Sequence, residues 1–84
     1  LLREILEVKC KDGLHARPAA EFVQLCKSIN SDVKLEKGGK TVPGKSIIGI
    51  MSLGVSCGEE ITVIIEGDNE AAAMDKIKEL LSKE

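Results

Sequence analysis

Residues 2–29 read LREILEVKCKDGLHARPAAEFVQLCKSI, and the hydrophobic period changes once inside this stretch. From Leu2 to Cys10 the side chains alternate, with Leu6, Val8 and Cys10 on one side and Glu7 and Lys9 on the other. That is the pattern of a strand with one buried face. Lys11-Asp12-Gly13 then supplies turn chemistry. From Ala16 to about Ile29 the spacing becomes helical, with Ala19, Phe22, Val23, Cys26 and Ile29 on one face. Asn30-Ser31-Asp32 reads as the end of this helix.

Beyond it, Val33 and Leu35 alternate with Lys34 and Glu36 in a second strand. Gly38-Gly39 predicts a tight hairpin turn into a third strand, Lys40-Thr41-Val42, which Pro43-Gly44 breaks. Ser46 is a good N-cap for a short helix through Ile47, Ile48, Ile50 and Met51, closed by Gly54. Ile61, Val63 and Ile65 share one face of a fourth strand, and Asp68-Asn69 is read as capping a last helix with Ala73, Ile77, Leu80 and Leu81 along its stripe. The order β α β β α β α, with one apolar side per element, predicts an α+β open-faced β-sandwich. In it a four-stranded, mainly antiparallel sheet carries three helices on one face. The 84 residues have room for a single domain, 1–84.

Composition narrows the function. Twelve Lys and Arg against fourteen Asp and Glu give a net charge of −2, and Phe22 is the single aromatic residue. Nucleic-acid binding calls for concentrated positive charge and stacking platforms, so no nucleic acid is expected as a partner. The longest apolar runs, such as Ile61-Thr62-Val63-Ile64-Ile65, are strand-sized, so no membrane partner is expected either. Three scattered cysteines, Cys10, Cys26 and Cys57, show no C-x-x-C spacing and fit reduced thiols in the cytoplasm. With one histidine they make no ligand cluster, so neither metal nor cofactor is expected.

The stretch that bears chemistry is Gly13-Leu14-His15-Ala16-Arg17-Pro18-Ala19-Ala20. It sets the only histidine between a turn and a helix start, where unpaired amides and a partial positive charge favour an anion. Pro18 suits the first helical turn. The amides of Ala16 and Arg17 are free to face a phosphate near His15, and the Arg17 guanidinium can pair with its oxygens in a forked geometry. A neutral imidazole can accept a phosphoryl group and release it again. On residue types alone, a helix-capping histidine beside a surface arginine explains the same stretch.

Two motifs carry a resemblance. Gly13-Leu14-His15-Ala16-Arg17-Pro18-Ala19-Ala20 resembles the active-site signature of the HPr phosphocarrier family, and Lys45-Ser46-Ile47-Ile48-Gly49-Ile50-Met51-Ser52-Leu53-Gly54 resembles its regulatory serine segment, in the Gram-positive type. Gly58-Glu59-Glu60-Ile61-Thr62 also matches. The resemblance implies a carrier in the sugar phosphotransferase system, not an enzyme. It implies that His15 takes a phosphoryl group from phosphorylated enzyme I on its Nδ1 atom, with Arg17 as charge partner, and passes it to IIA domains of sugar permeases. Family members specialised for regulation lack the histidine. The resemblance further implies phosphorylation of Ser46 by an HPr kinase/phosphorylase and, after it, docking to catabolite control protein A. A monomer is expected of such a carrier, which must show one site to successive partners.

Ile47, Ile48, Ile50 and Met51 are too many apolar residues for one short helix to bury. Ile47, Ile48 and Met51 are expected to form a docking patch. Ile48 stands where the family often has Met or Phe, and Pro43-Gly44 stands where it has a less rigid dipeptide. Cys57 falls in an exposed-looking turn, as an incidental small residue or a redox-sensitive thiol. The rival function is a regulatory module that docks through Ser46 without carrying phosphate.

Overall fold

The computed structural model describes residues 1–9, 13–14 and 16–82. His15, Cys10, Lys11 and Asp12 lie outside the described residues. The elements are β1 (Leu2–Glu7), α1 (Ala16–Ser28), β2 (Ser31–Lys37), β3 (Lys40–Pro43), α2 (Ile47–Ser52), β4 (Glu60–Gly67) and α3 (Glu70–Leu81). The strands form one antiparallel sheet in the order β1-β4-β2-β3, so this is the expected open-faced β-sandwich. Alternation decides which side of the sheet is covered. Ile61, Val63 and Ile65 of β4 and Val33 and Leu35 of β2 are buried, while Asp32, Lys34 and Glu66 are exposed and Thr62 and Ile64 half-buried.

The core is closed by Ala19, Phe22, Val23 and Cys26 from α1, Ile50 from α2, and Ala73, Met74, Ile77 and Leu81 from α3. Phe22 is fully buried, and a side chain of that size contributes about 2–3 kcal/mol through removal from water. Gly38 and Gly39 take φ of +59° and +82°, the mirror-image turn that matches strand twist between Lys37 and Lys40.

Two local expectations give way. Ser31 and Asp32 do not end α1 but open β2, and buried Ser31 donates its hydroxyl to the Asp68 carbonyl. Pairing of Ser31 with Gly67 across the sheet overrides the turn preference of Asn-Ser-Asp. Asn69 precedes α3, but in the left-handed region at φ 57°, and its side chain makes no cap hydrogen bond. Glu70 instead turns back and accepts the Gly67 N–H at 2.9 Å.

Candidate functional site

The site begins at the residues that lead into α1. Gly13 is buried with φ +68°, and a Cβ there would run into the Val55 carbonyl oxygen and stand 2.9 Å from Ser56 Cα. Only glycine fits that approach. Leu14 follows, 1% exposed, and its N–H donates to the Val55 carbonyl at 3.0 Å. Glu59 steadies the turn beyond Val55. It accepts the Ser56 N–H at 2.7 Å and pairs with Lys37 Nζ at 3.0 Å, which together hold its carboxyl below the usual carboxylate range. The chain on the N-terminal side of position 15 is therefore anchored to the segment that leaves α2.

On the other side, α1 starts at Ala16, with Pro18 inside its first turn. The first-turn amides of a helix have no intrahelical acceptors and carry a partial positive charge. No acidic side chain occupies that turn. Arg17 is exposed, and among the described residues its guanidinium has no ion pair. Such a helix end can hold a dianion from two directions, with amides along the axis and a guanidinium from the side.

Ser46 is half-buried and caps α2, with its Oγ accepting the Gly49 N–H at 3.1 Å. A cap of this kind contributes about 1 kcal/mol against alanine. The other end of α2 is tied down by Lys40 Nζ on Ser52 Oγ at 2.9 Å and Lys37 Nζ on the Gly54 carbonyl at 3.0 Å. Ile50 is fully buried, whereas Ile47, Ile48 and Met51 are 39%, 79% and 41% exposed. Leu53 and Val55, which follow α2, are both buried, so the segment that accepts Leu14 leaves α2 through the core.

The thiols divide by burial. Cys26 is fully buried, and burial pushes its pKa up to about 12, so it acts as a small apolar core residue. Cys57 is exposed, with a weak contact of 3.8 Å to the Lys9 carbonyl. Among the described residues no cluster of His, Cys, Asp and Glu could hold a metal ion, and no helix is long and apolar enough to cross a membrane.

Fold and site together define a small open-faced α+β module whose first helix end suits an anion. A family model described as "PTS HPr component phosphorylation site" matches residues 2–83, and the chain belongs to the PTS HPr family. It is 48% identical over 84 residues to the HPr-like protein Crh of Bacillus subtilis (strain 168), covering 100% of this chain and 99% of that one. The solved phosphocarrier protein HPr of Bacillus anthracis str. Ames has the same fold, with a TM-score of 0.91 and 41% identity over 95% of each chain. The crystal structure of Bacillus subtilis Crh, described as a catabolite repression protein in a dimer with a swapped domain, matches at a TM-score of 0.76. Identity there is 48%, over 96% of this chain and 93% of that one.

The exposure of Ile47, Ile48 and Met51 was expected from the apolar content of so short a helix. The anchoring of Leu14 to Val55 was not, because the two are far apart in sequence and nothing in either residue type signals the bond.

Proposed function

We propose that this chain is a phosphoryl carrier that accepts its group on His15 from phospho-enzyme I and passes it to IIA domains, in the cytoplasm. The observation that supports this reading is the union of a histidine at position 15 with an acid-free first turn of α1 and an exposed Arg17 at that turn. An imidazole nitrogen attacks phosphorus, the bond from phosphorus to the donor breaks as the N–P bond forms, and the reverse sequence delivers the group onward. The Ala16 and Arg17 amides and the Arg17 guanidinium offset charge on the phosphoryl oxygens. Ile47, Ile48 and Met51 supply an adaptable apolar surface for enzyme I and the IIA domains. A kinase-added phosphate on Ser46 meets the positive end of α2, so the fold survives while the new charge changes docking. In that state the surface fits catabolite control protein A.

The test is complete relay. With phosphoenolpyruvate, enzyme I and a IIA domain, label should reach the IIA domain only when this chain is present. Absence of label, with an enzyme I shown active on another HPr, would leave the regulatory reading. One observation favours that second reading: the similarity to Crh, a protein described by its role in catabolite repression. Histidine at position 15 favours the carrier, because regulatory members of the family lack it.

A further inference from the structure

Alternation along β2 puts Ser31, Val33 and Leu35 on the covered side of the sheet, and Lys37 takes the next position on that side. An apolar side chain would suit that place, yet a half-buried lysine stands there. Its contacts supply the reason. Lys37 Nζ donates to the Gly54 carbonyl and to Glu59 Oε1, each at 3.0 Å. The same Glu59 oxygen accepts the Ser56 N–H at 2.7 Å. Lys37 thus ties the end of β2 to both sides of Val55, directly at Gly54 and through Glu59 at Ser56.

The Val55 carbonyl and the Ser56 N–H belong to one planar peptide group and point in opposite directions. Glu59 holds that group by its N–H, while its carbonyl accepts the Leu14 N–H at 3.0 Å. The two bonds reinforce each other, because a carboxylate on the N–H polarises the carbonyl as an acceptor. With the Val55 side chain fully buried, the remaining freedom of the group is rotation of its plane, which Glu59 and Lys37 oppose. Gly13 lies against the same peptide, with no room for a Cβ. Position 15 alone separates Leu14 from the start of α1 at Ala16. A tilt of this plane therefore passes to the first turn of α1 with little slack.

We infer that Lys37, acting through Glu59 on the Val55–Ser56 peptide, is a positioning residue for phosphoryl acceptance at position 15. The inference rests on the carrier reading above. The ammonium fixes a peptide plane, the plane fixes Leu14, and Leu14 sets where the first-turn amides of α1 face. Those amides act on charge at the phosphoryl oxygens in the transition state, where a small misplacement is costly. The Ser46 cap and the burial of Ile50 hold α2 without Lys37, so docking through Ile47, Ile48 and Met51 persists when Lys37 is changed.

The test is the kinetics of transfer from phospho-enzyme I to the parent, Lys37→Met and Lys37→Arg, at a temperature where all three are folded. Lys37→Met should lower kcat about tenfold and leave KM for this chain within about twofold. Lys37→Arg keeps a cation with several donors and should restore most of the rate. Amide exchange at Leu14 should quicken in Lys37→Met and return towards the parental rate in Lys37→Arg. Lys78→Met is the control: it removes a 2.8 Å ion pair with Glu4, between α3 and β1, and should keep the parental kcat. A parental kcat in Lys37→Met, a loss confined to KM, or a loss that Lys78→Met shares would overturn the inference and leave the carrier reading standing. A parent that accepts no phosphoryl group would defeat the carrier reading, and the inference with it.

Discussion

The N-terminal ends of α1 and α3 meet the same electrostatic problem and treat it oppositely. At α3 the chain brings its own carboxylate: Glu70 sits in the first turn and accepts the Gly67 N–H. At α1 the first turn holds no acid and adds an exposed cation, Arg17. A helix that serves only the fold gains from an acidic first turn, by about 0.3–1 kcal/mol. An end that forgoes this gain, and is held by a buried glycine and a fixed leucine, leaves its first-turn amides open to an anion from outside, as the proposed carrier role requires. α2 stands between them, with a hydroxyl cap that is neutral until it is modified.

The contrast breaks first at its anchor. Gly13→Ala forces a side chain into a positive-φ position against the Val55 carbonyl and should cost about 3 kcal/mol in chemical denaturation. A loss within the range of ordinary surface substitutions would mean that the leading segment is not held as described. Arg17→Glu makes the α1 end resemble that of α3. Phosphoryl acceptance should fall about 100-fold while stability stays within about 0.5 kcal/mol or rises slightly. Equal damage to both would show that Arg17 serves the fold. The complementary change, Glu70→Gln, should lower the melting temperature a little and leave the acceptance rate unaltered in the same assay.

The smallest expected effect is a pH dependence at Glu59. Its carboxyl is held below the ordinary value of 4.5 by the Ser56 N–H and then by Lys37, so folding gains from its ionised form. That contribution is present above the unfolded pKa and disappears as pH falls through the lowered folded one. Glu59→Gln should therefore flatten slightly the acid limb of a stability curve below about pH 4.5 and leave the alkaline limb alone.

Much of this was legible in local pattern. The change from alternation to helical spacing after Gly13 gave β1 and α1, the paired glycines 38 and 39 gave the hairpin, and Ser46 gave the start of α2. What escaped depends on contacts between distant residues. Ser31 joins a strand because Gly67 lies opposite, and Asn69 takes a left-handed backbone and makes no side-chain cap, while Glu70 reaches back to the Gly67 N–H. Met74 completes the buried stripe of α3, three residues before Ile77 and seven before Leu81, a helical spacing already present in the sequence. At the candidate site the residue types were plain, since Gly13, His15, Arg17 and Ser46 lie in short local motifs. The hold of Val55 on Leu14 needed the folded chain.

Intact mass after incubation with phosphoenolpyruvate and enzyme I tests the open end of α1 most directly, with His15→Ala and Ser46→Ala run in parallel. One acid-labile phosphoryl group on the parent and on Ser46→Ala, and none on His15→Ala, is the predicted result. No phosphoryl group on the parent, or one that survives on His15→Ala, would contradict it.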